Sequence, residues 1–208
     1  MAVKSADFIT FIIRALCCNQ TVASQRFRWW HGAAFFAGIQ AAAFALKTGA
    51  AGGDNSRKRD RKFYRNERLP VFAPPGAAFP IAWTINSICA IAGGVHVLNM
   101  PRETEGRSEF LRLQSAAWAL YATFDAAYFG LRSPINAAGI TILYSGVTAA
   151  SFAVAARQLR DPLAAISLAP TLAWLVLANP VGITQALWNR DAFWKAGPFM
   201  KPDRRWLK

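Results

Sequence analysis

Few side chains in this 208-residue chain are of types that could do chemistry, and none has a companion at a catalytic spacing. Asp125 is the one acid inside the apolar stretch Leu113–Leu131, and ionisable groups in such surroundings are uncommon and often functional. It should carry a proton or find a donor, with Tyr121, Tyr128, His96 or an arginine from another helix as candidates. Two roles suit it: a buried structural hydrogen bond, or part of a ligand or proton path. His96, near the end of another apolar stretch, has no second histidine at helical spacing and so reads as interfacial rather than as a haem or metal ligand. Cys17, Cys18 and Cys89 have no metal-ligand spacing; Cys89 reads as packing, and the Cys17–Cys18 pair is at most an acylation site. Trp83 and Trp174 can stack on a flat ligand or fill a helical core. With no nucleophile–base pair, paired carboxylates, phosphate loop or metal cluster in view, an enzyme is not expected.

The elements that must position these residues are apolar blocks. Apolar residues make up 54% of the chain, yet the mean hydropathy is only +0.19, so strongly apolar segments alternate with strongly polar ones. Residues 29–46, 79–98, 113–131, 135–156 and 163–188 are each close to the roughly 20 residues a helix needs to cross a bilayer. They lack the polar face that a surface helix of a soluble protein shows. Their interiors are rich in Ala, Gly, Ser and Thr, as in "AAGITILYSGVTAASFAVAA", the composition that lets helices approach closely in lipid. Trp29, Trp30, Trp188 and Trp194 fall at or near span ends, where amphipathic rings favour the headgroup layer. The expected fold is an all-α integral membrane protein with five transmembrane helices, in which Asn86, Asn136 and Asn179 hydrogen-bond across helices. Asn179–Pro180 is expected to interrupt the fifth.

Net charge is +13, but its placement argues against nucleic acid as the partner. If the chain crosses five times, Lys and Arg divide nine to fifteen between the two sides, the larger share lying in loop 47–68, after span three and in the C-terminal tail. The positive-inside tendency then puts loop 47–68 and the C-terminus in the cytosol, or in the matrix of a mitochondrial inner membrane. There the basic residues would meet anionic lipid; no aromatic-interleaved RNA motif accompanies them. Residues 1–28 hold a short apolar run broken by Arg14, which suits an interfacial amphipathic helix with targeting-like composition. Loop 47–68 begins with glycines and ends in a charge run, "SRKRDRKFYRNER", with no reason to order itself alone. Residues 190–208 form a basic tail. The loop and both termini are therefore candidate contacts for other subunits of a membrane complex.

One stretch is more specific than composition. "PVFAPPGAAFPIAWTI" (70–85) resembles the signature of the TspO/MBR family, the tryptophan-rich sensory and translocator proteins: Pro70, Phe72, Pro74, Pro75, Gly76, Phe79, Pro80, Trp83 and Thr84 all fit its loop and second-helix start. "YFGLRSP" (128–134) is similar to the family's junction between helices three and four, and Pro170, Trp174 and Asn189 match positions in helix five. The resemblance covers roughly Trp29 to Asn189 and implies a five-helix TspO-like bundle.

The resemblance also has gaps. Ala77, Ser87 and Thr171 stand where the family usually has Trp, Tyr and Tyr. Tyr121 and Phe124 replace Asn and Trp, Asp125 replaces Ser, and Val181–Gly182 replaces Leu-Asn. No tyrosine follows Tyr144, so the family's proposed sterol-recognition segment is incomplete. These positions line or border the pocket in which family members bind tetrapyrroles and sterol-like ligands, so the scaffold is kept while the pocket is rewritten. The resemblance implies a hydrophobic-ligand site at Phe79, Trp83, Phe124, Asp125 and Trp174, for a tetrapyrrole, a sterol or a bound phospholipid such as cardiolipin. Two functions compete: a non-catalytic accessory subunit of a large organellar membrane complex, which the altered pocket and basic extensions favour, or a free-standing translocator-like protein that binds porphyrin, haem or a sterol.

Overall fold

The computed structural model describes residues 26–53 and 57–208; most of the interfacial helix expected in residues 1–28 lies outside the described residues. Among these the chain is helical, its only strand-like pairs being the isolated bridges Pro70–Leu207 and Asp191–Ala196. The helices are α1 (Trp29–Ala50), α2 (Arg57–Asn66), α3 (Ala78–Asn99), α4 (Arg107–Asp125), α5 (Pro134–Arg157) and α6 (Pro162–Trp188). A π-helical turn (Ala126–Gly130) prolongs α4, and a 3-10 turn (Arg204–Trp206) lies near the C-terminus.

Local chemistry sets the boundaries. Ser133 caps α5 by accepting the N–H of Asn136 at 3.1 Å, and Pro134 follows at the first helical position, where a missing N–H costs little. Asp161 and Pro162 repeat this at α6, with Asp161 Oδ1 accepting Ala164 N–H at 2.7 Å. The far end of α3 is closed from outside: Arg107 donates through Nε to Val97 O at 3.1 Å and through Nη2 to Leu98 O at 3.0 Å, a cation on the negative end of a helix. Arg107, Glu109 and Arg112 in the first turns of α4 are also why α1, α3, α5 and α6 alone, among the described residues, are long and apolar enough to cross a membrane by themselves. α4 reaches a comparable length only with its π turn.

The expected break at Asn179–Pro180 is absent. α6 runs unbroken through Pro170 and Pro180. Pro180 removes one backbone donor, but Asn179 Nδ2 donates to Leu175 O at 2.9 Å and ties the same turn to Ser145 Oγ of α5 at 2.7 Å. Packing on α5 and α3 holds the helix across the proline.

α5 and α6 pack most extensively, α4 lies on α5, α3 on α6, and α1 runs along α4 and the π turn. Small residues set these distances. A Cβ on Gly93 would lie 2.0 Å from Ser167 Oγ, so α3 and α6 cross in near contact there. Thr141, Ser145, Thr148 and Ser151 each donate to the carbonyl four residues back, which satisfies the α5 hydroxyls within their own helix. A close-packed cluster of Val97, Phe110, Val154, Ala155, Ala164, Ala165 and Leu168 seals one end of the bundle. Large apolar side chains point outward, Val176 at 77% and Leu143 at 60% exposure, as lipid-facing residues do.

Candidate functional site

The end opposite the sealed cluster is covered by chain that sequence reading left as loop and tail. Loop 47–68 is largely helical rather than loop: Lys47–Ala50 finish α1, and Arg57–Asn66 form α2. Within its charge run, Phe63 and Tyr64 both pack on the bundle, each against its own partners. The Phe63 ring stands 5.3 Å from Tyr128 and 6.4 Å from Phe129, and Tyr64 stands 5.9 Å from Phe79. Lys58, Arg61, Lys62 and Arg65 face away. Asp60 pairs with Lys47 of α1, and Arg59 donates to Ala51 O and Gly130 O. Two half-buried rings and these tethers supply the ordering that the composition alone lacks.

The proline loop is strapped down by the C-terminus. Val71 N–H donates to Trp206 O and Lys208 N–H to Leu69 O, both at 2.9 Å, and Lys208 Nζ reaches Ala73 O at 2.7 Å. Asn189 holds the other side, accepting Arg68 N–H at 2.7 Å and donating to Arg68 O at 3.1 Å. Asp191, fully buried, accepts from Ser133 Oγ at 2.7 Å, Ile135 N at 3.0 Å and Trp194 N at 2.9 Å, which joins the tail to the start of α5.

Beneath this cover, α3 and α6 run antiparallel, pinned by His96 Nε2 and Asp161 Oδ2 at 3.0 Å. At a rise of about 1.5 Å per residue, Asn86 and Thr171 both lie about 15 Å from that pin, and Trp83 and Trp174 both about 20 Å. Trp174 meets Phe79 edge-on at 5.4 Å; Trp83 is edge-on to Tyr121 at 5.5 Å and Tyr144 at 5.7 Å. Asn86 Nδ2, Thr171 Oγ1, Trp174 Nε1, Asn179 Oδ1 and Tyr64 OH are buried without a hydrogen-bond partner. Buried polar atoms are nearly always paired, so partnerless ones on α3 and α6, with Tyr64 of α2 above them, are places where an outside group, water or ligand, could be held.

The five expected site residues do not form one group. Phe79 and Trp174 touch, and Trp83 sits among Tyr121 and Tyr144. Phe124 belongs to a separate cluster, stacked on Tyr128 at 6.0 Å. Asp125 faces outward, and two of its expected donors, Tyr121 and His96, are engaged elsewhere. Tyr121 donates to Gln40 Oε1 at 3.2 Å, Tyr128 OH accepts from Gln185 Nε2 at 3.0 Å, and His96 is paired with Asp161. The charges acting on Asp125 are instead Lys47 and Asp60 at the α1–α2 junction. The π turn begins just after it and changes the helix register, which a regular 3.6-residue pattern does not reveal.

Of the asparagines, Asn179 bonds across helices, Asn136 Oδ1 accepts instead from Trp194 Nε1 of the tail at 2.9 Å, and Asn86 Nδ2 has no partner. Cys89 is buried packing. Neither histidine faces the aromatic file: His31 stacks on Trp30 at 3.5 Å and accepts Arg28 N–H. No three His, Cys, Asp or Glu side chains among the described residues are grouped to hold an ion. A flat organic ligand held by stacking and N–H or O–H groups suits this lining; axial histidine ligation of a haem iron does not. Sequence reasoning missed Tyr64 and Glu67. The only available signal for them was an aromatic pair inside a basic run.

Fold and site together define an all-helical membrane protein whose bundle is closed at one end by an ordered proline-rich loop and an aromatic-lined file beneath it. The sequence profile of the TspO/MBR family matches residues 40–186, and the chain belongs to that family. No individual curated protein matches the chain by sequence.

Proposed function

We propose that the protein is a non-catalytic receptor for a flat, largely apolar molecule of tetrapyrrole or sterol type, in a pocket altered from the family pattern. The observation behind this reading is the file of partnerless buried polar atoms, Asn86 Nδ2, Thr171 Oγ1 and Trp174 Nε1, beside the Phe79, Trp83 and Trp174 rings. Apolar walls with a few convergent polar atoms are the usual make-up of a small-molecule site. The test is quenching of tryptophan fluorescence by protoporphyrin IX in detergent. Saturable quenching that weakens severalfold in Trp174→Phe and Asn86→Leu is expected. Quenching that never saturates, or is equal in both variants, refutes the reading.

A second reading, an accessory subunit of a large complex of the mitochondrial inner membrane, draws on the surface of the covered end. Phe193, Trp194, Phe199, Met200 and Trp206 are all exposed on the tail, and α2 exposes a basic face. Aromatic and basic groups together suit a protein partner or the anionic headgroups of a lipid such as cardiolipin. The positive-inside tendency supports a matrix or cytosolic position for this end. Native mass measurement in mild detergent separates the two: a large assembly supports the subunit, a monomer or small homo-oligomer the free receptor.

A further inference from the structure

Glu67 lies where the aromatic file meets its basic cover. It follows α2 directly, three residues after Tyr64, whose carbonyl accepts its N–H at 3.3 Å. Its Oε2 is buried without a partner, as is the Tyr64 hydroxyl. Tyr64 leans on Phe79 and Phe79 on Trp174, so the acid stands at the head of the same wall of rings. The ionisable groups around it come from every neighbouring element. Asp191 follows α6, Tyr128 lies on the π turn, Tyr64 is on α2, and Arg68 is next in sequence. None of these is a cation paired with it. The Arg68 guanidinium is turned to Trp188 O at 3.3 Å, and among the described residues Glu67 has no salt bridge. The Asp191 oxygens are committed to three donors of their own. A carboxyl with one oxygen removed from water and without a donor, under the charge of a second carboxylate, is suited by a cationic or strongly donating group that its neighbours do not supply.

We propose that Glu67 is the polar anchor of the site and selects ligands that join a flat apolar body to a cationic nitrogen. The proposal rests on the ligand-site reading above and adds the class of ligand. Burial, reinforced by the Asp191 charge, raises the Glu67 carboxyl to about 7. Above that value it is ionised and attracts the cation; below it the charge, and with it the selection, is lost.

The test uses the full chain in detergent and energy transfer from tryptophan to two pyrene probes, 1-pyrenemethylammonium and neutral 1-methylpyrene. At about pH 8 the ammonium probe is expected to bind about tenfold more tightly than methylpyrene, a charge-assisted contact's worth. That advantage should shrink towards about pH 6, through the Glu67 range. In Glu67→Gln it should vanish, the two probes binding with a ratio of about one at both pH values. Saturable methylpyrene binding without a preference for the ammonium probe, or a preference that survives in Glu67→Gln, overturns the anchor and leaves the ligand site standing. Failure of both probes to bind saturably overturns the ligand site and the anchor with it.

Discussion

Replacing Asp191 tests whether the tail is a structural part of the covered end. Its carboxylate is fully buried and accepts three hydrogen bonds, two at Oδ2 (Ser133 Oγ, Ile135 N) and one at Oδ1 (Trp194 N). In Asp191→Asn the single amide oxygen can keep the Oδ2 pair, but the amide nitrogen then meets the Trp194 N–H donor to donor. One charge-assisted bond is lost and a buried donor is left unpaired, a cost of about 2 kcal/mol. Asp191→Ala leaves all three donors unpaired and should cost about 3–5 kcal/mol. These donors need not stay buried: release of residues 190–208 returns them to water, so the loss should appear as local opening before global unfolding. About 2 kcal/mol is about a thirtyfold rise in the open fraction. Trypsin cleavage at Lys195 and Arg205, or deuterium uptake of the tail amides, reads this directly. A graded acceleration from wild type to Asn to Ala is expected. Equal cleavage rates in all three would refute the assignment of Asp191 as the tail's anchor, whatever the melting temperature did. Because the Asp191 charge helps to raise Glu67, Asp191→Asn should also lower the Glu67 titration below about 7.

Three further predictions rest on other parts of the bundle. Gly93→Ala should destabilise by about 1–3 kcal/mol in thermal denaturation, because the new Cβ meets Ser167 Oγ and Cβ at 2.0 and 2.6 Å; Ser167→Gly in the same chain should restore part of the loss. Glu67 has a folded pKa of about 7 against 4.5 for the free side chain, so the folded state holds the proton more tightly and stability falls as pH rises between those values. The nominal difference of about 3 kcal/mol reduces to about 1–2 for a partly solvated group; Glu67→Gln should recover it at about pH 8 and change nothing at about pH 4 in chemical denaturation. Asp161→Ala removes the α6 cap and the His96 contact together, and should cost about 1–2 kcal/mol, with Asp161→Asn retaining most of the cap.

How much of this was legible in the sequence depends on the range of the forces involved. The apolar blocks could be read directly because a helix in lipid must satisfy its own backbone, so each span is a run of local length and composition. The proline-rich signature is local too, and it carried the family resemblance; the Ser133–Pro134 and Asp161–Pro162 caps that start α5 and α6 are equally local in the structure. Phe79 and Trp174 were legible as ring-bearing positions, but their meeting was not, because it depends on the close α3–α6 crossing at Gly93.

What only the tertiary structure decided lies at the covered end. A run with ten charged or strongly polar neighbours around Phe63 and Tyr64 reads as solvated loop until two rings find Tyr128 and Phe79 to pack on. The strap of Lys208 on Leu69 and Ala73 joins residues more than a hundred positions apart, and no local pattern encodes such a pair. The exposed basic face of α2 and the buried acid at its end come from the same short segment, separated only by which side of a helix meets the bundle. The sequence by itself therefore determined the membrane scaffold, through local hydrophobicity and backbone satisfaction. The position of Glu67 against the aromatic wall was decided by long-range packing, because its desolvation exists only once the loop and the tail are in place.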